Sequence, residues 1–193
     1  MVDMYTGMAP TKGRLLVATP TLDDPHFHHS VVFMVEHHAD GALGLVLNRP
    51  SAESLDVPLD AWVRVQSAPP RVFSGGPVEP DALIALARTD GPVEEDDEGH
   101  LAPLTASIAS ADLAADPDEV APNIRALRVF RGYAGWSAGQ LEMEIASGSW
   151  LVLDSDESDV FTAEPDELWR TVLRRQPGRL GWLAGAPDDL GWN

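Results

Sequence analysis

The stretch LRVFRGYAGWSAGQLEMEI, Leu127 to Ile145, joins an apolar run to a helical pattern through three glycines and two large aromatics. Its reading decides whether the chain builds a ligand cradle or only changes direction. Leu127 and Val129 alternate with Arg128 and Phe130, the period of a strand at Leu127–Phe130. Ser137 and Gln140 have the S-x-x-Q spacing of a capping box, in which Ser takes an orphan N–H and Gln reaches back to the cap. Trp136 before the cap and Leu141 inside the helix have the spacing of a hydrophobic staple, and Gly148 supplies a C-terminal stop. Strand, glycines, helix and a further strand ending in Asp154 resemble in outline a dinucleotide-binding unit. The spacing is G-x-x-G-x-x-x-G rather than G-x-G-x-x-G, and Tyr133 and Trp136 stand where a pyrophosphate needs close backbone approach. The glycines therefore read as a corner, and no cofactor is expected.

Outward from this stretch, GRLLVATP (13–20) reads as a strand. SVVFMVEHH and ALGLVLNRP flank Ala39-Asp40-Gly41, the signal of a hairpin with strands at Val31–His37 and Leu43–Asn48. Alternate positions in this pair are both apolar, which predicts cover on both faces. VFSGGPVEP is a strand entering a glycine turn, with Gly75-Gly76-Pro77 needing positive φ. PDALIALAR fits a helix starting at Pro80 or a strand. TDGPVEEDDEGH (89–100) has no apolar period and reads as an exposed loop; a strand and a short helix near Asp112 or Asp118 are expected between Leu101 and Ile124. WLVLD (150–154) is a strand. EPDELWRTVLRRQPG is a helix, with Pro165 in its first turn, acids near its positive end, and Arg174 and Arg175 in its last turn. The tail from Arg179 adds a helical turn. Ser51–Pro70 carries mixed signals and no assigned element.

Charge excludes more than any motif does. There are 31 acidic against 13 basic residues, a net −18, and Lys12 is the one lysine. Phosphate backbones are repelled by such a surface, so direct nucleic-acid binding is not expected. Walker-type and Schiff-base lysines are excluded with it, because no glycine loop precedes Lys12. With no cysteine, thiolate chemistry, disulfides and cysteine-held metals are absent. The beginning of the chain shows no apolar signal core, and no run reaches membrane-span length, so the expectation is a cytoplasmic protein without a membrane.

Five of the six histidines lie between His26 and His38, beside Asp23, Asp24 and Glu36. Imidazole and carboxylate suit divalent metals, but H-x-H-H and H-H lack the H-E-x-x-H spacing, and no further ligand follows. No metal is expected. The serines of SGGP and ASGSW sit outside any G-x-S-x-G elbow. Arg125, Arg128, Arg131 and Arg170, Arg174, Arg175, Arg179 are the basic concentrations, read as edge residues paired with acids.

Together GRLLVATPTLDDPHFHHSVVFMVEHHADGALGLVLNRP, FSGGPVEPDALIAL and RVFRGYAGWSAGQLEMEIASGSWLVLDSD resemble the AlgH/YqgE family of bacterial proteins, over well more than half of the chain and in the right order. The resemblance implies one compact α+β domain over residues 1–193, with a mixed, curved β-sheet, flanking helices and a flexible N-terminal tail at 1–12. It implies no reaction; the family's name comes from a proposed role in transcriptional regulation of alginate synthesis. His26, His28, His29 and the segment 51–70 depart from the family pattern. Asp24, His37, Asn48, Arg49, Gly75, Gly76, Pro77, Tyr133, Gly135, Trp136 and Gln140 match its motifs and form the candidate binding surface. The expected function is that of a non-enzymatic cytoplasmic binding or regulatory protein, acting on a protein partner or small ligand. The alternative is a small-molecule or nucleotide-binding enzyme using the Gly132–Gln140 turn or the His26–His38 cluster.

Overall fold

One twelve-residue strand organises the chain. The structure is a computed structural model that describes residues 10–22, 24–93 and 99–185. Its strands are β1 (Arg14–Ala18), β2 (Val31–His38), β3 (Gly41–Val46), β4 (Val72–Ser74), β5 (Val78–Arg88), β6 (Leu101–Pro103), β7 (Ile108–Ala111), β8 (Ala126–Ser137) and β9 (Trp150–Asp154). The helices are short: α1 (Pro117–Val120), α2 (Gln140–Ala146), α3 (Glu157–Val160), α4 (Leu168–Arg174) and α5 (Arg179–Leu183).

The strand expected at Leu127–Phe130 does not stop at the glycines; β8 runs through Gly132, Tyr133, Gly135 and Trp136 to Ser137. The corner reading is thereby corrected. Hydrogen-bonded neighbours on both edges carry the strand through the glycines, and aromatics suit a pleated, half-buried surface. On one edge β8 pairs with β5; on the other it pairs in parallel with β4 at Val129–Arg131, then antiparallel with β3 at Ala134–Ser137. Gly132, at φ +67, lies where these partners change, and a Cβ there would stand 2.6 Å from the Gly76 carbonyl oxygen. The chain turns only at Ala138-Gly139. Half of the expected capping box forms: Gln140 Oε1 accepts from the Ser137 N–H at 3.1 Å, while the helix itself is capped by Gly139 without a side-chain bond.

The full order, β6-β7-β5-β8-β3-β2-β1-β9 with β4 beside β8, is one mixed and curled sheet, and with the helices it makes an α+β fold. The hairpin β2–β3 closes with His38 opposite Gly41 and carries a bulge at Met34–Glu36. The ambiguous PDALIALAR is strand, as its pairing with β8 requires, and Pro80 falls in the irregular stretch between Val78 and Leu83 where no ladder N–H is needed. Between Leu101 and Ile124 there are two strands rather than one, followed by α1, capped by Asp116. The helix expected from Glu164 begins as a 3-10 turn at Pro165–Glu167 and becomes α4. Segment 51–70 holds a 3-10 turn at Asp60–Val65 that buries Trp62. Part of the acidic loop, 94–98, and part of the tail expected to be flexible, 1–9, lie outside the described residues. Thr11, assigned to that tail, is fully buried.

Both faces of the sheet are covered. On one, Val17, Phe33, Leu45, Phe73 and Phe130 pack under Val160, Trp169, Val172 and Leu173 of α3 and α4. On the other, Leu16, Val32, Met34 and Trp136 pack with Leu141 of α2 and with Trp150. A third cluster joins Leu127 and Val129 to Trp62, Val120 and Ile124. Each fully buried aliphatic side chain contributes roughly 1.5–3 kcal/mol.

Candidate functional site

The candidate residues separate into two groups at opposite ends of β2. At its start, Asp24 forms an Asx turn: Oδ1 accepts the His26 N–H at 2.8 Å, and its carbonyl accepts from Phe27 and His28. Asn48 splices this turn to the sheet, with Oδ1 accepting from Val31 N–H at 3.0 Å and Nδ2 donating to the His29 carbonyl at 2.9 Å. Arg49 Nη2 donates to the His28 carbonyl at 2.9 Å, whereas its Nε is buried with no partner. The Arg49 carbonyl accepts the Ser74 N–H, which brings Gly75, Gly76 and Pro77 alongside. A Cβ on Gly75 would stand 2.2 Å from the Gly132 carbonyl oxygen, so Gly75 answers to close approach; Gly76 combines close approach with φ +152.

Arg49 borders two clefts. One, of about 380 Å³, is lined by Pro25, His26, Val46, Arg49, Ser74, Gly76 and Pro77. The other, of about 320 Å³, lies between Arg49, Asn48 and α4, where His28 stacks on His29 at 4.0 Å and His29 on Trp169 at 4.1 Å, facing Asp166 and Glu167.

At the far end of β2 the candidates serve the fold. His37 receives the Thr11 N–H (3.3 Å) and hydroxyl (2.9 Å) at Nδ1, while Nε2 lies 2.9 Å from Glu142 Oε1. These partners select the Nε2–H tautomer for the neutral ring. Partial burial pushes the Glu142 carboxyl up, but bonds from His37 and its own backbone N–H, with the field of His37, outweigh that and hold it below the usual value. Gln140 Nε2 donates to Glu144 Oε1 at 3.0 Å. Both the Trp136 and Trp150 indoles donate to Glu144 Oε2 at 2.8 Å, and Phe27 packs against the two rings. Tyr133, Gly135 and Trp136 line a third, open cleft of about 520 Å³ with Glu36, His38 and Asp40. Burial, then the Glu79 charge and hydrogen bond, raise the Tyr133 hydroxyl above its ordinary value.

The histidines do not form a cluster. His28 and His29 stack in the turn before β2, and His37 lies near its far end, six residues beyond Val31 or roughly 20 Å along the strand. Among the described residues no three His, Asp or Glu side chains converge to hold a metal. The glycine stretch, being strand, offers no cradle either. Sequence reasoning missed Glu144, the shared acceptor of two tryptophans, and the burial of Arg128. Arg128 is 1% exposed, lies 4.3 Å over the Phe73 ring and donates to the Ala68 and Thr162 carbonyls, while Nε and Nη1 have no partner; burial lowers it to about 10. The signal for it was present, since the strand alternation put Arg128 on the face of Phe130.

No helix among the described residues is long and apolar enough to cross a membrane. The family model described as AlgH-like matches residues 15–181. A UPF0301 protein of Streptomyces coelicolor is 43% identical, with 97% of this chain and 98% of the relative covered. One from Thermobifida fusca is 45% identical over 92% of each. The crystal structure of a Corynebacterium diphtheriae protein superposes with TM-score 0.86 at 30% identity, covering 92% of this chain and 93% of the other. The solution structure of AlgH from Pseudomonas aeruginosa gives 0.68 at 27% identity, over 97% and 98%. A curled sheet centred on the glycine-bearing β8, with matching sequence along nearly its whole length, places the chain in the AlgH-like family.

Proposed function

We propose that this protein is a non-catalytic binding protein whose ligand surface is Arg49 with the two clefts it borders, and that any regulatory action runs through that ligand or a protein partner rather than through DNA. The carrying observation is the state of Arg49. In a chain with 31 acids, no carboxylate among the described residues pairs with it, and its one hydrogen bond goes to a backbone carbonyl. Six other arginines, Arg14, Arg64, Arg88, Arg125, Arg131 and Arg175, form ion pairs. A net charge of −18 opposes a direct grip on nucleic acid. Ser74 and His26 share one cleft, but among the described residues no hydrogen bond joins them, which supports binding over catalysis.

A thermal-shift screen of small metabolites on the full chain and on Arg49→Gln tests this. A ligand present at about a hundred times its Kd stabilises the native state by about 2.7 kcal/mol; the shift is expected in the wild type and lost in the variant. Ligands that stabilise both proteins equally would move the binding surface away from Arg49.

A further inference from the structure

We infer that the cleft between the His26 turn and the Ser74–Pro77 loop takes an anionic group, a carboxylate or a phosphate, held by the Arg49 guanidinium with the Ser74 hydroxyl and the His26 imidazole. The inference deepens the binding role proposed for Arg49 and rests on it.

Three observations converge. Among the described residues the lining of this cleft contains no acidic side chain, in a chain where acids outnumber bases by 31 to 13; the two other clefts described above carry Asp166 and Glu167, or Glu36 and Asp40. An anion is therefore repelled least here. Second, the guanidinium fork is incompletely used: Nη2 donates to the His28 carbonyl and Nε is shielded without an acceptor. Guanidinium recognises planar carboxylate and phosphate oxygens through two parallel N–H donors, and an anion that draws the side chain toward the cleft gives Nε the acceptor it lacks. Third, the remaining polar groups suit an anion. Ser74 is exposed at the mouth with a hydroxyl that can donate, and His26 is exposed with its backbone fixed by Asp24. A volume of about 380 Å³ exceeds one inorganic anion, so the anionic group is the head of a small organic body. Gly76 lines the cleft as well, and its Cβ position is filled by the Tyr133 and Ala134 backbone, which ties the cleft to the folded sheet.

The test is a titration of the 15N-labelled full chain, followed at the amides of His26, Arg49, Ser74 and Gly76, with inorganic phosphate and with acetate at constant ionic strength. Saturable shifts at these amides with either anion are expected. Arg49→Gln is expected to weaken binding at least about tenfold, and Ser74→Ala, at an exposed side chain that leaves the fold intact, by about threefold. The stronger of the two anions identifies the head group. Shifts that never saturate, or that survive Arg49→Gln unchanged in a folded variant, overturn the inference. A series of neutral fragments of similar size separates the two levels: saturable binding of neutral fragments at these amides without any anion binding overturns the anionic head group and leaves the binding surface standing, whereas no binding of either kind removes both.

Discussion

A Cβ added to Gly76 would stand 2.2 Å from the carbonyl carbon of Tyr133, so the loop leaving β4 meets β8 backbone to backbone. Gly76 also lines the Arg49 cleft, so the contact ties the proposed binding surface to the central strand. Gly76→Ala has to separate the two chains and also strains φ +152, and a cost of roughly 2–4 kcal/mol follows. Gly91→Ala, with nothing within 4 Å of its Cβ position, changes stability by less than about 0.5 kcal/mol. Urea unfolding of both variants checks the contrast; equal midpoints would show that the close approach is absent.

Glu144 is the acceptor shared by two tryptophans that flank α2 in sequence and meet edge to face, 6.0 Å between ring centroids. Glu144→Ala leaves the indole N–H groups of Trp136 and Trp150 without their partner, and a loss of about 2–3 kcal/mol is expected. Glu144→Gln keeps an acceptor oxygen and costs less. Denaturant unfolding, with near-UV circular dichroism as a report on tryptophan packing, measures both.

The pairing of His37 with Glu142 has a pH signature. The folded-state pKa of Glu142 lies below the ordinary glutamate value, so its contribution to stability is present above the unfolded pKa, about 4.3, and is lost as pH falls through the folded value. In His37→Ala the main bond to the carboxylate is gone. NMR titration is expected to show the Glu142 pKa rising in that variant, and the stability gap from wild type narrowing as pH drops below about 4. An unchanged Glu142 titration would mean the pair is not formed in solution.

Arg128 is a buried cation whose partners are two carbonyls and a phenyl ring. Lowering from the ordinary arginine value to about 10 corresponds to roughly 3 kcal/mol of burial penalty. That penalty is constant at neutral pH, where folded and unfolded chains are both protonated, and is relieved as pH rises above about 10. Arg128→Lys keeps a buried charge but loses the planar group that lies over the Phe73 ring while its Nη2 donates to both the Ala68 and Thr162 carbonyls, so it is expected to cost about 2–4 kcal/mol. Arg128→Met removes the penalty along with the bonds and costs less. Unfolding free energies in the reverse order would show that the carbonyl bonds outweigh the burial of charge.

The sequence made the hairpin, β1, β4, β9 and α4 legible because each has an uninterrupted local signal: apolar alternation, Asp-Gly, or Pro and acids ahead of an apolar stripe. β8 was legible only in its first half. Nothing local says that the strand continues through Gly132 and Gly135, since its course is imposed by β3, β4 and β5, which are distant in sequence. PDALIALAR was ambiguous for the same reason. In the site, Asp24, Asn48, Arg49, Gly75 and Gly76 matched family motifs and do come together, through bonds between residues about twenty apart or more. His37 and Gln140 matched equally well but are occupied by Thr11, Glu142 and Glu144. A motif marks both kinds of residue alike; only the partner of each side chain separates a structural role from a free one. Ser74 and His26 were legible only as a nucleophile and a metal-ligand candidate, because their place beside Arg49 is set by how the Asp24 turn and the β4 loop meet.

The central claim, that ligands bind where Arg49 borders the two clefts, is tested most directly by mapping a fragment library onto the assigned amide spectrum of the full chain. The account predicts saturable perturbations concentrated at His26, Arg49, Ser74 and Gly76, and at His28 and Arg170 around the second cleft. Perturbations concentrated instead at Leu43, Tyr133 and Gly135, in the open cleft at the other end of β2, would contradict it.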